Sequence, residues 1–478
     1  MAWARPGLAK DLFGIDIRSL ALFRVSLALV LCWDLLDRLR GIEAHYTGEG
    51  LVPAPVLQEL AARRVFSVHL WSDTLEFQVF LVAILLCAAV MLLVGWQTRV
   101  ATVVAFFLVL SLHSRNPLLL HHADSLLRLL LMWSMFLPLG ATLSIDACRG
   151  GSPRVASPIL SVGTAALLLQ GFFVYLIATI SKLQYDSWWD GRALYAVVNK
   201  ASYARPLGEY VSQFPEVLEF FSHATLFVEG SIPLLLFSPW RRDLCRIAAV
   251  LLGIGLHAGI FAVVDVGVFQ PVTVLALFPA LPASLWDRLG WALDPKHAAA
   301  WIPAKLTEAL VAFLLFYTVA SNGLALDAGA RGMPEPLRTI GYAFRLDQRW
   351  RMFANTDITA QGWWVVIGEL EDGTPIDLLH GTRGVSLARP YRYYREMPNM
   401  NWRTYWVNIS RDHYQAFRPW MGRYFCRSWN EDAEPDLRVR RVRVVYVQEQ
   451  NYKPELGGIV TPRELAVTDC SEVALADR

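Results

Sequence analysis

The chain has 478 residues, 55% of them hydrophobic and only 18% charged, with a formal net charge of +2 and a mean hydropathy of +0.35. Soluble globular chains are about 45–50% apolar and about 25% charged, so an ordinary soluble enzyme is excluded, and so small a charge points away from nucleic acid. Cys32, Cys87, Cys148, Cys245, Cys426 and Cys470 form no CxxC and no Cys/His cluster at zinc spacing, which argues against thioredoxin-like, iron–sulfur or zinc chemistry.

The opening MAWARPGLAKDLFG has no hydrophobic core followed by a cleavage site and does not read as a signal peptide. Apolar runs of about 17–25 residues come next, the length that crosses roughly 30 Å of hydrocarbon. They predict spans over Ser19–Leu39, Phe77–Trp96, Val100–His113, Ser125–Ile145, Pro158–Ile180, Phe220–Trp240, Ile247–Val264, Phe269–Trp286 and Leu306–Leu326. The third and eighth are short enough to be re-entrant or strongly tilted. Trp96, Trp188, Trp189, Trp240, Trp286 and Trp301 fall where interfacial aromatic belts form. The arginine distribution leans toward a cytoplasmic N-terminus, and an odd number of spans then puts the C-terminal region on the non-cytoplasmic side.

After about residue 335 the long apolar runs stop. Trp363–Gly368 and Val439–Tyr446 alternate like strands, and Glu371-Asp372-Gly373-Thr374 reads as a hairpin turn. The expected fold is an all-α polytopic membrane helical bundle of about nine spans with a small C-terminal β-rich extramembrane domain. Its expected boundaries are residues 11–335 for the bundle, 340–451 for the β-rich domain and 452–478 for a tail. The tryptophans and tyrosines at 350, 363, 402, 405 and 406 exceed what so small a domain needs for its own core. The domain is therefore expected to dock on the outer mouth of the bundle.

Ionisable groups at membrane depth are costly and normally face the bundle interior. Arg24 and Asp34 in the first span lie about 80° apart around the axis and about 15 Å apart along it, so each needs a partner on another helix. Asp124 and Arg128 stand at the spacing of a local ion pair. Glu229 sits inside the sixth span and His257 inside the seventh. The adjacent His121 and His122 do not have metal-ligand spacing, and no metal is expected. Lys182 ends the fifth span before Trp188-Trp189-Asp190-Gly191. It reads either as a snorkelling boundary lysine or as a partly desolvated amine able to act as a general base.

Leu20-Ala21-Leu22-Phe23-Arg24 with Asp34, then His45-Tyr46 and Leu51-Val52-Pro53, resemble the opening of the HTTM (horizontally transferred transmembrane) family. That family includes the vitamin K-dependent gamma-glutamyl carboxylase. Ser181-Lys182-Leu183 with Trp188 to Gly191, and His257 with Gly267-Val268-Phe269, are similar to its later elements. Leu346 to Ala354 (LDQRWRMFA) resembles the junction motif of bacterial members, with Gly362-Trp363 and Asp372-Gly373 continuing the pattern. The resemblance implies an integral inner-membrane protein in the lipid bilayer, a quinol (vitamin K hydroquinone-like) as cofactor, and a secreted peptide or protein as substrate. By position it implies Lys182 as the base that deprotonates the quinol, with His122 (or His121) and His257 around the reacting groups. One departure is that the carboxylase carries two adjacent lysines where this chain has Ser181-Lys182. Only about 150 residues follow the ninth span, too few for that enzyme's large lumenal region, so its substrate does not transfer. Two other readings stay open. One is a noncatalytic membrane maturation factor; the other is a transporter with Glu229 and His257 along its path.

Overall fold

The computed structural model describes residues 7–60, 66–150, 155–200, 203–291, 301–326, 332–356, 361–390, 397–453 and 457–476. The principal helices of the first part are α1 (Ile17–Leu39), α2 (Leu75–Val94), α3 (Thr98–Arg115), α4 (His122–Ser134), α5 (Val162–Lys182), α6 (Pro215–Leu236), α7 (Arg242–Val263), α8 (Phe269–Leu275) and α9 (Lys305–Leu326). Six of them, α1, α2, α3, α5, α7 and α9, are long and apolar enough to cross a membrane. The expected fourth and eighth spans are shorter than their apolar runs. Helix α4 stops before Pro138, and α8 stops before Pro279 and Pro282, residues that cannot donate to a helical ladder. Every residue of α4 from Leu126 to Ser134 is buried, Arg128 included. The sixth run does form a 22-residue helix, but α6 carries Glu216, Glu219 and Glu229 with Pro233 inside it.

The helix ends explain several charges. Helix α2 stops at Gly95, where φ is +71° and a Cβ would lie 2.4 Å from Nη1 of Arg24. The Arg24 guanidinium donates to the Leu92 (2.8 Å), Leu93 (3.1 Å) and Leu143 carbonyls. Its partner is thus the carbonyl end of a neighbouring helix, where a cation meets the negative pole of the dipole. Asp34 behaves differently from expectation. It pairs on its own helix with Arg38 (2.8 Å), one turn on. Nor do Asp124 and Arg128 pair. Asp124 takes Arg38 instead, and Arg128 donates to the Arg345 carbonyl (2.9 Å) and to Nδ1 of His113 (3.0 Å). Among the expected belt tryptophans, Trp96, Trp189 and Trp240 are exposed, whereas Trp188 and Trp286 are buried.

Past α9, residues 345–356 run as an extended strap along the bundle. Trp350 is fully buried, and Gln348 accepts from Trp350 (3.0 Å), from Gln170 of α5 (3.0 Å) and from Asn322 of α9 (3.3 Å). The C-terminal region then forms a five-stranded antiparallel sheet, ordered β3-β2-β1-β4-β5. Its strands are β1 (Gln361–Leu370), β2 (Pro375–Asp377), β3 (Thr382–Arg383), β4 (Val439–Lys453) and β5 (Gly457–Asp469). Both expected strands are present, and residues 371–374 make the β1–β2 turn with Gly373 at φ +85°. In β4, Val442 and Val444 are buried while Arg441 and Arg443 are exposed, the alternation of a half-buried strand. Helices α10 (Met400–Ile409) and α11 (Arg418–Asp432) join the sheet, so the region is α+β. Residues 457–476, expected to be tail, form β5 and the short helix α12 (Cys470–Ala476), and a Cys426–Cys470 disulfide ties α12 to α11.

Docking on the bundle is direct. Asn408 donates to the Leu118 carbonyl (2.8 Å) and Asn399 to the Asp37 carbonyl (3.0 Å), while Arg403 grips Asp265 through its carbonyl (2.7 Å) and carboxylate (3.1 Å). The ring of His45, fully buried, packs 4.6 Å from Trp402 and 5.8 Å from Tyr405. Burial and then the nearby Arg38 push His45 down to about 3, from an ordinary 6.5. Between those values the unfolded chain binds a proton that the native chain refuses. Stability is therefore complete above about pH 6.5 and falls as the pH drops toward 3, at about 1.4 kcal/mol per unit. The share of His45 in the stability that the detergent-solubilised protein loses between pH 7 and pH 5 is about 2 kcal/mol. Thermal unfolding of His45→Phe should show a pH loss smaller by about that amount; an unchanged slope would show that His45 does not contribute to it.

Candidate active site

Lys182 occupies the last turn of α5, yet it does not reach water. Helix α6 starts beyond the end of α5, and its first turns are covered by two short helices, Asp186–Trp189 and Ala193–Val198. Leu194 donates to Oγ of Ser222 (3.0 Å), and a Cβ on Gly191 would collide with Glu219, so this cover lies tightly on α6. The cover is in turn pinned by the strap. Nε1 of Trp188 donates to the Phe353 and Ala354 carbonyls, both at 3.1 Å, and the Ser187 and Thr356 hydroxyls are 2.7 Å apart.

Beneath this cover Lys182 and Glu229 form a two-oxygen ion pair. Nζ lies 3.0 Å from Oε1 and 2.8 Å from Oε2, with the residues 3% and 8% exposed. The ammonium also faces the ring of Trp188, 5.3 Å from its centroid. A snorkelling lysine would send its amine outward to solvent; this one turns inward to a carboxylate. Tyr175, two turns before Lys182 on the same face of α5, brings its hydroxyl 3.0 Å from Nε2 of His257. The ring of Phe269 closes the other side of His257 at 6.0 Å. The Lys182–Glu229 pair and the Tyr175–His257 hydrogen bond are thus two buried polar contacts joined by one face of α5, and His122 opens α4.

Arg24 and Asp34 lie outside that site. Asp34 belongs to a second polar centre built around Arg38, whose Nε takes Asp34, whose Nη1 takes the Tyr46 hydroxyl (2.8 Å), and whose Nη2 takes Asp124. His121 caps α4 by accepting from the Ala123 amide (3.2 Å), while the Asp124 carboxylate accepts from the His121 amide (2.8 Å). Arg128 can only donate, so His113 accepts at Nδ1 and carries its proton on Nε2, 3.5 Å from Asp124. The ligand atoms of Asp34, His113 and Asp124 are all within 4.8 Å of one another. The guanidinium of Arg38 already bonds both carboxylates there, so a divalent ion would have to displace it.

A model of the HTTM domain matches residues 14–286, more than half of the chain. This chain belongs to the HTTM family. No curated protein and no solved structure matches it. The HTTM domain contains Lys182, Glu229, Tyr175, His257, His122 and the Arg38 centre, whereas the strap that pins Trp188 lies beyond it.

Tyr175, Arg38 and the covering role of Trp188 escaped the sequence reading. A spacing of seven before Lys182, and of four after Asp34, were the available signals. Breaking the buried pair from one side should be costly. Glu229→Leu leaves an unpaired ammonium and should lower unfolding stability by about 3–5 kcal/mol, whereas Lys182→Met/Glu229→Leu should recover most of it. Thermal melts of the single and double variants in detergent test this; equal losses in both would show that the pair is not coupled.

Proposed function

We propose that this HTTM protein is a quinol-dependent membrane enzyme in which Lys182 and Glu229 together move the proton that starts the reaction. The carrying observation is the closed Lys182–Glu229 pair, shut under Trp188 and beside the Tyr175–His257 hydrogen bond. A base must be a neutral amine at the moment of transfer, and Glu229 offers the place to which the ammonium proton goes. In low dielectric, the neutral amine and carboxylic acid lie closer in energy to the charged pair than they do in water. Tyr175 fixes the ring of His257 and leaves Nδ1 free to meet a reacting oxygen.

The residues fit a two-oxygen headgroup. Oγ of Ser181, Nδ1 of His257 and both amide atoms of Gln270, the residue after Phe269, are buried without a partner. A bound quinol would supply, with oxygen, a base strong enough to remove a proton from carbon. The amine of Lys182 would hold one quinol hydroxyl and Trp188 would keep water away. Lys182→Arg keeps the ion pair but not the base, because a guanidinium stays protonated. Oxygen-dependent quinol oxidation by Lys182→Arg should fall about 10²–10⁴-fold, with expression unchanged. Equal activity in wild type and Lys182→Arg would sink the base assignment.

One observation favours a second reading. A pair already joined through two oxygens is also a sound structural staple, as a noncatalytic maturation factor for a secreted peptide would need. Absence of turnover in every variant and in the wild type, with several quinols tried, would support that reading.

The same proposal includes a topology of nine passes with a cytoplasmic N-terminus. Its support is that successive segments alternate between two ends of the bundle. At the N-terminal end Arg18 meets Asp287 (2.7 Å), Arg246 meets the Gly14 carbonyl (3.4 Å) and Val162 meets Glu308 (2.9 Å). Arg18, Arg99, Arg241, Arg242 and Arg246 stand at helix starts on this side, a positive-inside pattern. Lys182, His122 and the docked region stand at the other end, and a disulfide there suits an oxidising compartment. Alkaline phosphatase fused after residue 476 should be active. A fluorescent cytoplasmic reporter active at that position would reverse the orientation.

A further inference from the structure

Between the bundle and the docked region lies a cavity of about 220 Å³, apart from the Lys182 site. Its walls include Trp33, Asp37, His121, Asp265, Arg205 and Asn401. A single water needs only about 10–15 Å³, so the space admits a small organic group. Most of the charge around it is already matched. Asp34 is held by Arg38, and Asp265 by Arg403 (3.1 Å), Arg205 (3.5 Å) and the Gly267 amide (3.1 Å). Arg205 also lies flat on Phe261, 3.8 Å from the ring centroid.

What is left over defines the ligand. Among the described residues the Asp37 carboxylate pairs only with the exposed Arg40, at 3.5 Å. Asn401 is 3% exposed, lines the cavity, and makes no side-chain hydrogen bond among the described residues. His121 lines the cavity, spends Nδ1 on its helix cap, and has no partner for Nε2 among the described residues. Trp33 adds an aromatic wall to a carboxylate, the pairing that receives ammonium groups. The geometry points to a binding site for a primary ammonium group: Asp37 receives the cation, Trp33 faces it, and Asn401 and His121 receive an adjoining polar group. The cavity stands where the bundle ends, so the ammonium arrives either on a lipid headgroup or on a free amine.

The test uses the full-length protein in neutral detergent, read by tryptophan fluorescence and thermal unfolding. The probes are ethanolamine, lysophosphatidylethanolamine, lysophosphatidylglycerol and the uncharged N-acetylethanolamine. Saturable binding is expected for one or both ammonium probes and for neither of the others. Binding of the lysolipid alone assigns the lipid source, and binding of both assigns the free group. Asp37→Asn should weaken binding about 10- to 100-fold, as loss of one charge-assisted hydrogen bond does, without changing the melt of the ligand-free protein. Asn401→Ala, which leaves every charge in place, should weaken it less. Equal binding of N-acetylethanolamine, no saturable binding of either ammonium probe, or undiminished binding by both variants would overturn the site. None of these outcomes depends on quinol oxidation, since Lys182 takes no part.

Discussion

An ammonium and a carboxylate shut away from water must keep within hydrogen-bond reach of one another, because either alone would be too costly to bury. The Lys182–Glu229 pair imposes that condition on this chain, and much of the architecture depends on it. Lys182 is at the end of α5, so α6 has to extend past that end for Glu229 to lie beside the amine. The projecting turns of α6 then need cover, which the helices at 186–189 and 193–198 give. The cover is held by Trp188, and Trp188 by two carbonyls of the strap. Gln348 fixes the strap to α5 and α9. A single buried charge pair is thus linked, through the cover and Trp188, from the membrane helices to the strap.

The sequence carried the elements better than it carried their partners. The run lengths located the long helices, and the period of two located β1 and β4, because a one-dimensional pattern reports which face an element buries. It does not report which residue of a distant helix meets a charge. Arg24 needed a partner, and the partner is a set of carbonyls, which no pattern of side chains announces. Asp124 and Arg128 stood at ion-pair spacing, yet Asp124 was drawn to cap α4 and to bind Arg38 across the bundle. The expected tail holds a strand instead: β5 is the edge of its sheet and accommodates Pro462, whose missing N–H can face solvent there. Cys426 and Cys470, 44 residues apart, showed no motif because the sheet, and not local spacing, brings them together.

Lys182, Glu229 and His257 were legible as polar residues in apolar helices; their convergence was not. The i to i+7 step from Tyr175 to Lys182 puts both on one face of α5, so a single helix presents a hydroxyl and an amine to α6 and α7. Position 181 lies one residue off that face. Its serine is buried with no hydrogen-bond partner, and no carboxylate other than Glu229 is paired there. A second lysine at 181, as in the carboxylase, would bury another ammonium without a counterion of its own. The single lysine here is therefore matched to the single glutamate.

The HTTM domain ends at 286, and the C-terminal third of the chain is not an appendage to the site. Residues 353–356 hold the cover over Lys182 from above, and Gln348 enters the polar core beside Gln170 and Trp133. Docking of α10 on Asp265 and Asp37 supplies one wall of the cavity at the bundle end. Without residues 353–356 the Trp188 indole N–H would lose both of its carbonyl acceptors, and the cover over the Lys182–Glu229 pair would lose its fastening to the strap. An ion pair opened to water is worth little, so the C-terminal region helps to keep this one buried.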